Sequence, residues 1–199
     1  MNGGSVDRCV AVVLAGGASR RFGSDKLAAP IGDLTVLAST VGSVAPLVDE
    51  VVVIGPWAPE GITHVVEPER FQGPLAALAY ALTQVSAAHV LVVGGDHPHV
   101  SPALLELLWS RRHEGDAVVP VVAGRSQPLV ACYSTTIVDT ATRLLAGGER
   151  RMTALLEQVA VVAIADDQWR AVDPSGRSFR DVDTVDDLRG LQADPYGDA

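Results

Sequence analysis

Three short runs of nearly unbroken apolar residues constrain this chain most. They cover residues 9–14, 51–54 and 90–93, are rich in valine, and stop at Gly16-Gly17, Gly55-Pro56 and Gly94-Gly95. A strand with one wet face alternates apolar and polar residues. A strand apolar throughout is covered on both faces, as in a parallel sheet between layers of helices. Helical patterns lie between the runs. In residues 74–85, Leu75, Leu78, Leu82 and Val85 recur at helical spacing. Ser101-Pro102 offers an N-cap followed by proline at the first helical position, and Leu104, Leu107 and Leu108 then define one face. This alternation predicts a three-layer α/β fold with a mostly parallel sheet and right-handed crossovers.

The second half is less regular. Residues 117–122 and 128–133 read as strands, with an antiparallel setting open to the latter. Residues 135–145 read as a helix stopped by Gly147-Gly148, 152–158 as a shorter helix and 159–164 as a strand. A last helix spans 184–191, with Thr184 as N-cap, Asp187 three residues on, and Val185, Leu188 and Leu191 facing inward. The 199 residues amount to one domain, and neither repeat nor linker divides them. The expectation is a single domain over residues 1–192 and a flexible polar tail over 193–199.

Composition narrows the function classes. Aromatics are only 5%, so valine, alanine and leucine must fill the core. A net charge of −9 argues against a nucleic-acid partner, which would need a basic face. It leaves room for a small phosphorylated ligand in a local positive pocket. Cys9 and Cys132 lie far apart in apolar runs and read as reduced core thiols of a cytoplasmic protein, not as a disulfide or zinc site. The opening apolar run is too short to span a membrane and lacks a signal-peptide layout, so no membrane partner is expected.

Residues 14–26, LAGGASRRFGSDK, carry the strongest chemical signal. A strand ends, a glycine-rich loop follows, and three cations lie within it. Glycines let backbone N–H groups approach an anion, and Arg21 and Lys26 can neutralise phosphates. The spacing is neither a P-loop nor the dinucleotide-binding G-x-G-x-x-G. Asp96, in Gly95-Asp96-His97-Pro98, follows a central strand, where open α/β sheets bind ligands. It fits a Mg²⁺ ligand or, equally, a cap on the turn before Pro98. His97 and His99 read as exposed or hydrogen-bonded side chains, since two ligands in one turn make a poor metal site. Asp181 and Asp183 share one face of an extended segment. Either fits as a second metal carboxylate beside Asp96; both also suit a helix N-terminus. Gly73-Pro74 opens a helix N-terminus toward a ligand. Gly148-Glu149-Arg150-Arg151 fits both a phosphate dock and a solvated charged turn.

Taken in order along the chain, these motifs resemble the nucleotidyltransferases that make molybdenum cofactor dinucleotides, and most closely the molybdenum cofactor guanylyltransferases. The family opening L-A-G-G-x-S-x-R-[MF]-G-x-D-K is satisfied by residues 14–26. Gly73-Pro74-Leu75-Ala76, Asp96-His97-Pro98, Gln127-Pro128-Leu129-Val130 and Gly148-Glu149-Arg150-Arg151 follow in family order. The closing N-x-N-T-x-x-[DE]-L is altered to Asp181-Val182-Asp183-Thr184-Val185-Asp186-Asp187-Leu188. A family asparagine falls at Ile54, and a family aspartate that contacts the nucleotide falls at Pro68, between Glu67 and Glu69.

The resemblance implies a Rossmann-like, GT-A-like single-domain fold. It implies transfer of GMP from GTP to molybdopterin or Mo-molybdopterin, with release of pyrophosphate and with Mg²⁺ as cofactor. Leu14, Ala15, Gly16, Gly17 and Gly73 would contact the nucleotide. Lys26 and Arg21 would hold its phosphates, and Asp96 with Asp183 would hold the metal. Proteins that deliver molybdopterin and molybdoenzymes that receive the product are implied partners. Alternatives are a cytidylyltransferase on the same acceptor, a guanylyltransferase for another phosphorylated acceptor, and a non-catalytic nucleotide-binding scaffold.

Overall fold

The computed structural model describes residues 8–16, 25–68 and 72–193. The chain runs through β1 (Val10–Leu14), a short hairpin of β2 (Pro30–Ile31) and β3 (Leu34–Thr35), α1 (Val36–Val44), β4 (Glu50–Ile54), β5 (Thr63–Val65), α2 (Pro74–Gln84), β6 (His89–Gly94) and α3 (Pro102–Ser110). It continues through β7 (Ala117–Val122), β8 (Arg125–Ser126), β9 (Val130–Ser134), α4 (Val138–Ala146), α5 (Met152–Leu156), β10 (Val161–Ile164), α6 (Asp166–Arg170) and α7 (Val185–Ala193).

The main sheet has the order β10-β7-β9-β6-β1-β4-β5, with β8 paired to β7 outside that path. Strands β6, β1, β4 and β5 are parallel neighbours, as are β7 and β10. Strand β9 runs antiparallel to β6 and β7. The setting left open for that strand is thereby resolved.

The unbroken apolar runs are explained by two cores, one on each face of the sheet. Ala11, Val13, Val51, Val53, Leu91 and Val93 face one core, which is closed by residues of α1, α3, α6 and α7. Val10, Val12, Val52, Ile54, Val90 and Val92 face the other, closed by α2, α4 and α5. Side chains alternate across a strand, so covering both faces requires apolar residues at every position.

Four differences from the sequence reading have physical causes. Helix α1 carries no clean apolar stripe, because β-branched residues, serines and Gly42 interrupt it. It forms nonetheless because the Thr35 hydroxyl caps the Ala38 N–H at 3.1 Å and Val36, Leu37, Val41 and Val44 are buried in tertiary contacts. Ser101 stands before α3 as expected but makes no side-chain cap; its N–H instead donates to the Ser178 hydroxyl at 2.8 Å. The helix read over residues 135–145 begins as a 3₁₀ turn, Thr135–Ile137, before α4. Val185 is 43% exposed and does not face the core, whereas Leu188 is buried. It sits in the first turn, where the helix has just left the extended segment. The proposed tail begins one residue inside α7, and residues 194–199 lie outside the described residues.

Candidate nucleotide and metal site

The candidate site lies past the C-terminal ends of β1 and β6. The chain leaves β1 for β4 on one side and returns to β6 on the other, so the loops after β1 and β6 diverge and open a crevice. The Gly95 N–H donates to the Leu14 carbonyl at 2.9 Å and ties the two loops at their base. A Cβ on Gly95 would meet that carbonyl at 3.2 Å and the Leu37 side chain at 3.3 Å, so a larger residue here would press the two loops apart by a few tenths of an ångström. One cavity follows, lined among others by Leu14, Gly16, Lys26, Glu67, Gly73 and Asp96.

Helix α1 holds the loop that carries Asp96. The Thr40 hydroxyl donates to the Gly95 carbonyl at 2.9 Å, and Ser39 and Ser43 donate to the Pro98 carbonyl at 3.1 and 3.0 Å. The hydroxyls that blur the helical pattern in the sequence therefore position the loop. On the far side, the Val182 N–H donates to the Asp96 carbonyl at 3.0 Å. That single backbone bond brings Asp181 and Asp183 alongside Asp96. Oxygens of Asp96, Asp181 and Asp183 all lie within 4.8 Å of one another. Behind this segment, buried Asp173 accepts from the Ser178 N–H at 3.0 Å and the Ser175 hydroxyl at 2.9 Å.

Lys26 starts a 3₁₀ turn, Lys26–Ala28, anchored by buried Leu27 and by the Asp25 carboxylate, which accepts from the Leu27 N–H. Its ammonium donates to Asp96 Oδ2 at 2.7 Å and to Asp183 Oδ1 at 2.8 Å. Burial by itself would lower the Lys26 pKa. The charge of Asp96 and the hydrogen bonds to both acids outweigh it, so the pKa is raised and the ammonium is secured. Asp181 moves up from the usual carboxylate range, through burial first and then repulsion from Asp183 and Asp96, with His97 opposing. His97 departs from the sequence reading. It is 7% exposed, and its Nδ1 has no hydrogen-bond partner among the described residues; its Nε2 lies 3.7 Å from Asp96 Oδ1. The turn after β6 buries it beside Asp96 instead of leaving it in solvent.

The same cavity is lined by Glu67, 8% exposed. A Cβ on Gly16 would lie 2.6 Å from Glu67 Oε2, so this carboxylate rests against the Gly16 backbone and would have to swing away from any larger residue there. Glu67 and Gln72 also line a neighbouring cavity with Tyr80, Leu145 and Arg150. Gly73, at φ 92°, places Pro74 at the first turn of α2 and brings the Arg150 backbone within contact distance. In the turn itself, Glu149 pairs with Arg151 at 2.7 Å. Those hydrogen bonds hold Glu149 down at about 2.

Leu14, Gly16, Lys26, Gly73 and Asp96 thus line one cavity, and Lys26 joins Asp183 to it. Ala15 lies beneath: it is buried, and its N–H donates to the Ile54 carbonyl at 2.7 Å. Gly17 and Arg21 lie outside the described residues. The hydroxyls of α1 and the Asp173–Ser178 brace are contributions that no motif announces.

The family model described as "MobA-like NTP transferase domain" matches residues 11–166. A "Probable molybdenum cofactor guanylyltransferase" of Mycobacterium avium is 36% identical over 190 residues, covering 90% of this chain and 93% of that protein. A crystal structure of molybdopterin-guanine dinucleotide biosynthesis protein A from Archaeoglobus fulgidus superposes with a TM-score of 0.82 at 24% identity, covering 93% of this chain and 97% of the other. A Mycobacterium tuberculosis protein solved as a complex with manganese has a TM-score of 0.63 at 22% identity, covering 94% of this chain and 99% of the other. The match to the family model spans most of the sheet and both loops of the crevice, and the chain belongs to the MobA-like NTP transferase family.

Proposed function

We propose that the protein is a Mg²⁺-dependent guanylyltransferase that transfers GMP from GTP to molybdopterin or Mo-molybdopterin and releases pyrophosphate. The observation that carries the reading is the convergence of Lys26, Asp96 and Asp183, from three distant segments, beside a cavity that Leu14, Gly16 and Gly73 also line. The names of the family relatives supply the acceptor. Residues 1–193, through the end of α7, act as one catalytic domain. The reading places the enzyme in the cytoplasm, with a molybdopterin-delivering protein and molybdoenzymes as partners.

The chemistry suits these side chains. An acceptor phosphate oxygen bonds to the α-phosphorus of GTP, the bond to the β-phosphate oxygen breaks, and pyrophosphate leaves. The attacking oxygen is already anionic, so no base has to remove a proton. Catalysis is then positioning and charge neutralisation. Lys26 and Arg21 meet the phosphates. Backbone at Leu14, Ala15, Gly16, Gly17 and Gly73 seats the nucleotide. The carboxylates of Asp96 and Asp183, joined by Asp181, form a hard all-oxygen donor set that fits Mg²⁺. When bound, the ion neutralises charge on the α-phosphate. A carboxylate at Glu67, which lines the cavity, suits guanine, whose N1–H and N2 amine present two donors on one edge of the base. Adenine, cytosine and uracil each turn an acceptor to a carboxylate in that position.

The test is pyrophosphate release by purified protein with Mg²⁺ and Mo-molybdopterin, run in parallel with GTP, CTP, ATP and UTP. Release with GTP alone is expected. Release with CTP alone moves the protein to cytidylyl transfer, and silence with all four on folded protein overturns the reading.

A further inference from the structure

Lys26 is the only lysine in the chain; every other member of its 15 Lys+Arg residues is arginine. Its side chain is 12% exposed, and its ammonium sits between two of the three carboxylates that could hold a divalent ion. We infer that Lys26 is the resident counter-ion of this cluster, a monovalent stand-in that a divalent ion replaces only when nucleotide phosphates are present to take the ammonium over. The inference rests on the reading of this cavity as a nucleotide and metal site, and adds to it a coupling between the two ligands.

The geometry makes ammonium and metal exclusive. Mg²⁺ lies about 2.0–2.1 Å from its oxygen ligands. The Asp96 and Asp183 oxygens are already held by Lys26 Nζ at 2.7 and 2.8 Å. An ion bound by the same two oxygens would stand in the space of the ammonium, and two like charges in that space repel strongly. Lys26 therefore has to leave before the ion can enter. Leaving without a destination takes a part-buried ammonium, its side chain 12% exposed, away from both of its carboxylate partners, which is costly. The phosphates of a nucleotide supply the destination, because Lys26 lines the same cavity. A lysine suits this exchange. It is a compact point charge on a flexible stem, whereas the planar fork of arginine is fixed to paired oxygens and gives them up less readily.

The consequence is positive coupling of metal and nucleotide binding. Linkage of this kind changes affinity by roughly 5- to 150-fold. The test has two arms. In the first, Mn²⁺ binding without nucleotide is followed by loss of the free-ion electron paramagnetic resonance signal. Lys26→Met is expected to bind at least about 10-fold tighter than the unmodified protein. Arg189→Met, which removes the same charge from an exposed pair on α7, is expected to leave the affinity unchanged. Equal or weaker binding by Lys26→Met, with its thermal unfolding intact, overturns the inference, as does an equal gain in Arg189→Met.

The second arm needs no variant. With lysine labelled in ¹³C and ¹⁵N, the one side-chain signal reports Lys26 alone. It is expected to stay in place with Mg²⁺ and to move when Mg²⁺ and GTP are added together. Displacement by Mg²⁺ alone, or no movement with both bound, overturns it. If GTP does not bind at all, the guanylyltransferase reading fails, while the nucleotide-free Mn²⁺ arm still decides the role of Lys26.

Discussion

Asp96 is held from three sides, by the strand it follows, by the hydroxyls of α1 and by Val182. Replacing its side chain should therefore change the chemistry and spare the fold. Asp96→Asn is expected to lower the rate of pyrophosphate release by about 10²-fold or more, with an unfolding temperature close to that of the parent, and parallel kinetics and thermal scans check both. Glu67 is tested by its choice of base. Inosine triphosphate lacks the N2 amine of GTP, and one hydrogen bond to a carboxylate is worth roughly 10- to 100-fold in affinity. The parent protein is expected to prefer GTP over inosine triphosphate by such a factor, and Glu67→Gln to lose most of that preference. A purely structural Glu67 would weaken both nucleotides alike. Lys26 and Asp96 were legible as residue types, because a glycine loop with cations and an acid after a strand are local patterns. Their pairing was not, since Lys26 meets partners 70 and 157 residues away.

Elements with strong local signals match the sequence reading, and those made by tertiary contact depart from it. The apolar runs became β1, β4 and β6, and Thr184 with Asp187 forms a reciprocal cap on α7, with Thr184 N–H to Asp187 at 2.7 Å and Asp187 N–H to Thr184 at 3.1 Å. Helix α1 carries no such local signal, because packing and loop contacts, not a stripe, sustain it. Val185 follows the helical period yet points to solvent. Val185→Thr is accordingly expected to change stability by less than about 0.5 kcal/mol in denaturant titrations. The Asp173 brace behaves oppositely. Burial opposes its charge, but hydrogen bonds from Ser178, Ser175 and Arg177 win, so its pKa is lowered. A lowered folded-state pKa means the contribution is present above the unfolded value near 4 and lost as pH falls through the folded one. Asp173→Asn should cost about 1–3 kcal/mol at neutral pH. The gap from the parent should shrink as the pH drops below about 4. A gap of constant size across pH 2–7 would refute the charge-based account.

At the scale of the whole molecule, both cores press against a sheet whose order sets the crevice. Leu37 shows the link between stability and site: it is fully buried, and its side chain lies where a Cβ on Gly95 would come within 3.3 Å of it. Leu37→Ala is expected to cost about 2–5 kcal/mol through the cavity it leaves. It should also weaken GTP binding, because the loop bearing Asp96 loses its support. A denaturant midpoint and a nucleotide titration on the same sample read both effects. Among the described residues, no helix is long and apolar enough to cross a membrane. By itself the sequence determined where the central strands run, where helices start, and which residue types are on hand for phosphate and cation chemistry. Valine runs, glycine stops and caps act over a few neighbouring residues, so a linear reading captures them. Only the tertiary structure decided that Asp181 and Asp183 join Asp96, that Lys26 bridges two of them, and that Glu67 rests on Gly16. Those contacts follow from strand order and from one backbone bond between Val182 and Asp96, and no local pattern encodes either.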